Sequence, residues 1–505
     1  ERRPASDREA ACHKLDAALA ATAIYGIETN SAYVRHVLAT EVFQQGRITT
    51  RYLNSFVWQP LSIDVRTPGT QTTIQDYPGR VGYWDIGVPP SGPFDALSFR
   101  LGNRLLGNAE SCAGLEITLS GPELRFNTAT RVVLTGAVMD ATLEGKPVPF
   151  WQVLTVAAGS ILKLGKLQAA GARAYLLIQG GLQCPKYLGS RATFTLGQFG
   201  GHAGRVLRSG DVLHVLPLPA DLPAVMPLPA NIDPPLQQHW DIKVIYGPHG
   251  APDFFTDEDI ATFFATDWEV HYNSSRTGVR LIGPKPQWAR SDGGEAGMHP
   301  SNLHDNAYAL GTIDFTGDMP VILGPDGPSL GGFVCPATVI SAELWKLGQL
   351  RAGDTIRFIP VSLATAAALE AAELQTLASL QAQTVEAPVA PLTTPVLKSV
   401  AVGEHPVGVT YRPSGDHYLL IEYGEMVLDI NLRFRVHALM LWLQQQQIQG
   451  MRELTPGIRS LQIHYDNQQL PLDTLLAWLQ QAEQALQGIE DMQVPARIVH
   501  LPLSW

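Results

Sequence analysis

Hydrophobic positions recur at two different periods along this chain, and the change of period divides it. From Arg8 to Ala21 (REAACHKLDAALAA) Ala and Leu dominate, and Cys12, Leu15 and Leu19 fall at near-helical spacing. The pattern predicts a helix there, capped by Ser6 or Asp7 and stopped by Gly26. A second amphipathic helix carries Tyr33, Val34, Val37 and Leu38 on one face. Some fifty residues with two or three helices make only a small core, so this stretch reads as a piece of something larger.

From Leu61 the texture is that of strands. Arg131–Gly136 (RVVLTG), Ile161–Leu164 and Ala174–Gln179 (AYLLIQ) are short, apolar and bounded by Gly, Pro or Asn. Such segments recur roughly every ten to fifteen residues, as in a β-sandwich or barrel. One helix interrupts them, Asp95–Leu106, which follows Gly-Pro and ends at Gly107. Seven prolines within the nineteen residues 217–235 predict a stiff connector between two β subdomains. Strand texture resumes at Lys243–Tyr246 and runs to Arg357–Ile359, a helix spans Leu363–Gln383, and Ala387–Pro395 reads as a linker. Beyond it, Tyr418–Tyr423 and Leu461–Tyr465 read as strands and Asn431–Gln446 and Pro471–Leu486 as helices. The expectation is a mainly β protein with some α, in four parts: 1–55, 56–362, 363–396 and 397–505. The final Ile498–Trp505 is apolar with no closing element, which reads as a cut.

Composition narrows the class without naming an activity. With 45% hydrophobic and 16% charged residues the 505-residue chain can bury large cores, and Gly 46 with Pro 37 favour many short strands. A net charge of −11 with no basic block argues against a nucleic-acid partner. No run of 18 apolar residues suggests a membrane span. Cys12, Cys112, Cys184 and Cys335 are far apart, which fits neither a zinc site nor a disulfide framework and points to the cytoplasm.

Several motifs occur in one order. Ile74-Gln75-Asp76-Tyr77-Pro78-Gly79-Arg80 is followed by Gly87-Val88-Pro89-Pro90-Ser91-Gly92-Pro93-Phe94-Asp95, then Asn103, Gly107-Asn108, Leu115-Glu116-Ile117 and Gln179-Gly180-Gly181. Leu188-Gly189-Ser190-Arg191-Ala192-Thr193 and Gly210-Asp211 complete the series. Over roughly residues 60 to 360 the chain resembles the allophanate-hydrolase-subunit-2-like fold. The stretch from Arg290-Ser291-Asp292-Gly293-Gly294-Glu295 to His299-Pro300-Ser301-Asn302-Leu303-His304-Asp305 is narrower, as is Gly324-Pro325-Asp326-Gly327-Pro328-Ser329-Leu330-Gly331-Gly332-Phe333. Both are similar to the carboxyltransferase domain of the urea and guanidine carboxylases. Tyr25–Asn30 resembles the end of a biotin carboxylase domain. The stretch after Ser399, with Gly415-Asp416 and Glu422-Tyr423-Gly424, resembles half of the subunit-1-like partner fold.

The resemblance implies cyclophilin-like β-barrel domains and a ligase-class reaction, carboxyl transfer from carboxybiotin to a nitrogen of urea or guanidine. It implies biotin on a separate biotin carboxyl carrier domain, ATP and Mg at a biotin carboxylase domain, and allophanate hydrolase downstream. It implies no metal at the transferase centre. Two rivals share the fold group, an oxoprolinase-type subunit and a non-enzymatic regulator of a histidine kinase.

Such a transfer needs the acceptor nitrogen held close, a base for its proton, and donors for developing negative charge. Polar groups concentrate over Asp292–Asp318. Glu295 or His299 is the candidate base, and Asn302, Asp305, Asp314 and Asp318 are candidate substrate ligands. His299 and His304 are separated by Pro300 at i,i+5, which is not a metal-binding helix spacing. His304 is expected to meet a backbone carbonyl or a carboxylate. Asp314, between Ile313 and Phe315 on an alternating strand, points opposite to them, towards a pocket or towards water. In a pocket its carboxylate would suit a guanidinium fork.

Overall fold

The structure is a computed structural model. It describes the chain apart from residues 1–6, 23, 25, 220, 223–228, 230–231, 292, 384, 386–389, 404, 487–492, 494–496 and 504–505. Ser6, Tyr25, Asp292, much of the proline-rich connector and the 387–395 linker, and the last two residues therefore lie partly or wholly outside the described residues. Helices span Arg8–Ala21, Ser31–Ala39 and Glu41–Gln44, and Asp7 caps the first by accepting from the backbone N–H of Ala10. The first helix buries nothing and the second buries only Leu38, so this piece has little core of its own.

The first β unit is two facing sheets. One has seven strands, in the order Leu182–Gln183, Val212–Val215, Ser62–Thr67, Glu123–Phe126, Ile161–Leu167, Met139–Leu143, Lys146–Pro147. The other has five, in the order Gln71–Gln75, Gly114–Thr118, Arg173–Ile178, Thr130–Gly136, Val153–Val156. Ile63, Leu115, Phe126, Val132, Leu134 and Leu176 fill the space between them. Helix Ala96–Leu106 packs Phe99, Leu105 and Leu106 on the outer face of the five-stranded sheet, against Val133, Tyr175 and Leu177. Arg173–Ile178 is thus covered on both sides, and its sequence is a continuous apolar run instead of an alternating one.

The second β unit closes into a barrel. Its strands run His239–Tyr246, Ala337–Val339, Thr312–Thr316, Met319–Leu323, Gly278–Ile282, Trp268–Val270 and Thr355–Pro360, and a parallel pairing of the last with the first completes the ring. Trp240, Phe255, Phe263, Trp268, Phe315 and Phe358 pack inside. A two-stranded ribbon, Asn302–Ala307 with Leu330–Phe333, lies outside the ring. Arg276 fastens the two units: it pairs with Asp326 of the barrel unit at 2.8 Å and with Glu116 of the sandwich at 2.7 Å, all three buried.

Helix Leu363–Ser379 is shorter at its end than the sequence suggests, because Leu380 takes a left-handed conformation (φ 52°). The C-terminal sheet runs Lys398–Val400, Val409–Pro413, Tyr418–Tyr423, Ser460–Tyr465, Met451–Pro456. Helices Ile430–Gln446 and Leu472–Ala485 pack Val436, Leu439, Leu475 and Leu479 on it. Among the described residues no helix is long and apolar enough to cross a membrane.

Candidate active site at the junction of barrel and C-terminal sheet

The loop leaving strand Gly278–Ile282 is drawn together by one side chain. Arg290 donates to the carbonyls of Pro300 (3.2 Å) and Asn302 (2.8 Å) and to Glu295 Oε1 (2.8 Å). Gly294 is required at the pinch, since a Cβ there would lie 2.0 Å from the His299 carbonyl oxygen. The other Glu295 oxygen lies 2.8 Å from His304 Nε2, so both carboxylate oxygens are engaged. His304 stands on the ribbon strand that this pinch delivers.

His304 faces a notch between the two bodies, lined by His249, Leu303, Glu422, Met426, Val427 and Arg459. The notch encloses about 10 Å³, room for one atom-sized group. Glu422, from strand Tyr418–Tyr423, accepts from Arg412 Nε (2.6 Å) and Arg459 Nη2 (2.5 Å). Burial works against its charge, but the two guanidinium groups hold its pKa below the usual carboxylate value. His249 is buried, and burial holds its pKa down to about 3, with Arg412, Arg459 and Arg290 acting the same way against Glu422.

The candidates read from sequence do not share one environment. Glu295 belongs to the pinch beside the notch. Asn302 begins the ribbon strand, with its backbone N–H bonded to the His299 carbonyl at 2.8 Å. The side chain of Asp305 lies outside the described residues. His299 is on the other flank, where its Nε2 is 3.2 Å from Asp318 and its ring packs edge-on to Trp288. Burial opposes the charge of Asp318, yet Trp288 N–H, Lys285 and His299 keep its pKa low. Asp314 points out of the barrel beside Val321, its cross-strand partner, in the layer of Tyr308 and Cys335 under the ribbon. It is 4% exposed, one carboxylate oxygen has no partner, and burial raises its pKa to about 7.

Pattern reading missed His249, Arg412 and Arg459. For His249 a signal existed: Gly247-Pro248-His249-Gly250-Ala251-Pro252-Asp253 places polar side chains in a Gly/Pro-rich loop directly after a strand. His304 meets a carboxylate, as its sequence setting suggests.

A larger cavity, about 250 Å³, lies elsewhere between the sandwich, helix Leu363–Ser379 and the C-terminal sheet. Glu370, Asp416 and His417 line it with ligand atoms within 4.8 Å of one another, a spacing a cation would tolerate. Their hydrogen bonds account for them without one: His417 bonds Glu370 (2.7 Å) and the Tyr465 carbonyl (2.9 Å), and Asp416 accepts from Ser341 N (3.0 Å) and Oγ (3.1 Å). Burial would lower the His417 pKa, but Glu370 and Asp416 raise it, as in a closed ion pair.

Residues 86–360 match the carboxyltransferase domain, subdomains A and B; residues 409–505 match subdomains C and D; residues 3–55 match the biotin carboxylase C-terminal domain. The urea amidolyase of Lachancea kluyveri is 44% identical over 516 residues, and that of Saccharomyces cerevisiae 45% over 511, each alignment covering 99% of this chain. The chain spans 28% of the length of either relative. The crystal structure of Kluyveromyces lactis urea carboxylase is 44% identical and superposes with a TM-score of 0.90, over 95% of this chain and 44% of that one. The chain belongs to the carboxyltransferase domain family.

Proposed function

We propose that the notch is the acceptor site of a biotin-dependent urea or guanidine carboxylase, where a carboxyl group passes from biotin to an acceptor nitrogen. The product is allophanate from urea or carboxyguanidine from guanidine. The observation that carries this reading is the Arg290–Glu295–His304 series at the edge of a notch whose far wall is Glu422 and Arg459. Biotin, when bound, supplies a carboxyl group held on a ureido nitrogen. The notch suits a ureido oxygen: it has room for one atom, the cation Arg459, and the His249 Nε2–H, which has no hydrogen-bond partner among the described residues.

In this reading the bond from carrier nitrogen to carboxyl carbon breaks, a bond from acceptor nitrogen to that carbon forms, and the acceptor nitrogen gives up one proton. His304 would receive the proton, with Glu295 at 2.8 Å stabilising the imidazolium, and would pass it on to the carrier nitrogen that has lost its carboxyl group. Glu295 itself is tied to Arg290 and His304, and His299 is tied to Asp318, so neither is as free to act as base. Arg290 is a positioning residue. The finer assignments go with the reading: a biotin carboxyl carrier domain brings the biotin, a biotin carboxylase domain with ATP and Mg loads it, and allophanate hydrolase consumes the product. The oxoprolinase-type and regulatory readings are not favoured, because the urea amidolyase relatives align over nearly the whole chain, residues 3–55 and 409–505 included.

The test is His304→Asn in the full-length enzyme that carries this chain. Acceptor-dependent turnover should fall about 10²- to 10⁴-fold, the usual worth of a general base, while ATP-dependent carboxylation of biotin continues. Undiminished acceptor turnover would remove His304 and the notch from the reaction.

A further inference from the structure

One group in the notch has a protonation state that its neighbours dictate. His249 and Cys335 clasp each other twice: the His249 backbone N–H donates to the Cys335 carbonyl at 2.8 Å, and the Cys335 backbone N–H donates to His249 Nδ1 at 3.1 Å. Phe254 packs edge-on to the ring at 4.8 Å, so its orientation is fixed. A backbone N–H can only donate, so Nδ1 carries no proton and the neutral ring has its hydrogen on Nε2. Protonating Nδ1 would break the Cys335 bond and add a buried cation near Arg290, Arg412 and Arg459, which Glu422 alone opposes. The ring therefore stays neutral in any ordinary buffer. It is a permanent donor and no base.

Resting on the acceptor reading above, we propose that His249 donates from Nε2–H to the carbonyl oxygen of a ureido group, an oxygen that gains negative charge during transfer. Two sources share that chemistry. His249 would meet the oxygen of a urea acceptor, which gains charge as the acceptor nitrogen loses its proton to His304. Alternatively it would meet the ring oxygen of biotin, which gains charge as the nitrogen–carboxyl bond breaks. In either case the electron pair is shared between nitrogen and oxygen, and a fixed neutral donor stabilises it without surrendering a proton. Guanidinium offers only N–H donors and cannot accept from Nε2–H, so His249 favours carbonyl acceptors over guanidinium.

The first experiment is NMR of the full chain with ¹⁵N-labelled histidine rings, the His249 signals being assigned by their loss in His249→Gln. A pattern with hydrogen on Nε2, unchanged from pH 5.5 to 8.5, is expected. Urea, biocytin (biotin on a free lysine) and guanidinium chloride are then added separately at millimolar concentration. A shift with urea assigns the acceptor as the source, and a shift with biocytin assigns the biotin ring. No shift with either ureido probe, an equal shift with guanidinium, or a ring that titrates in this range overturns the proposal.

The second experiment is kinetic, in the full-length enzyme, on variants whose melting temperatures match wild type. His249→Ala should lower kcat about 10²- to 10³-fold with little change in KM, and His249→Gln, which keeps an N–H donor, should recover at least about tenfold. The pH profile of the Gln variant should keep the wild-type shape, because His249 contributes no titration. Silent His249 variants in an active wild type would overturn this inference alone. A wild type that carboxylates no acceptor would overturn the acceptor reading itself.

Discussion

Replacing Asp314 by Asn should stabilise the protein more at pH 8 than at pH 5. The carboxyl is 4% exposed, one oxygen lacks a partner, and burial raises its pKa from 3.8 to about 7, with Thr316 and Arg280 only partly offsetting it. The folded protein thus keeps a proton that the unfolded chain has released between those pH values. Where the folded state binds more protons, stability falls as pH rises. At about 1.4 kcal/mol per pH unit, tapering near pH 7, the loss from pH 5 to 8 comes to about 2.5 kcal/mol. Asn keeps the shape and cannot ionise, so the variant escapes this loss. Thermal unfolding of wild type and variant at both pH values isolates the effect, since other groups cancel in the difference. The variant's advantage should grow by roughly 5–10 °C between pH 5 and pH 8. An advantage of equal size at both values would mean that Asp314 is ionised and compensated in the folded state, and the burial argument would fail. The same variant tests the substrate role that the strand position suggests. With Asp314 under the ribbon, the ratio of kcat/KM for urea to that for guanidine should not change; a move towards urea would give Asp314 that role after all.

Arg276→Met should cost about 3–5 kcal/mol, read as a lower melting temperature, because it leaves Asp326 buried without its cation and Glu116 with only Arg173 at 3.5 Å. Gly294→Ala should loosen the pinch, since its Cβ meets the His299 carbonyl at 2.0 Å; faster proteolytic cleavage within 290–300 and a loss of acceptor turnover would show it. Arg290→Lys keeps the charge but cannot make three separate contacts, so acceptor turnover should fall although the melting temperature moves little.

Much of the fold is legible locally because its determinants are local. Helix Ala96–Leu106 has its Asp95 cap and its Gly107 stop in the sequence, and both operate in the structure. The end at Ser379 has no such mark: the residue that turns left-handed is a leucine, and no Gly or Pro announces it. Strands Val409–Pro413 and Met451–Pro456 escape the pattern because buried Arg412 and the charged Arg452 and Glu453 interrupt their apolar positions. Arg412 is tolerated inside because Glu422 lies on the neighbouring strand, a pairing that no local window contains. The candidate site divides in the same way. The glycines and polar residues of 293–304 are visible as a motif, whereas the wall formed by Glu422 and Arg459 comes from more than a hundred residues away. His249 is held with its proton on Nε2 by the Cys335 backbone N–H, which only the closed barrel brings near.

The most direct test is to follow carbon from labelled bicarbonate in the full-length enzyme with ATP, offering urea, guanidine and 5-oxoproline in turn. Label should first accumulate on biotin and then move to a urea nitrogen, with transfer to guanidine slower and 5-oxoproline inert. In His304→Asn the label should stay on biotin. Label that never leaves biotin in the wild type, or that leaves equally fast in His304→Asn, would contradict the acceptor reading.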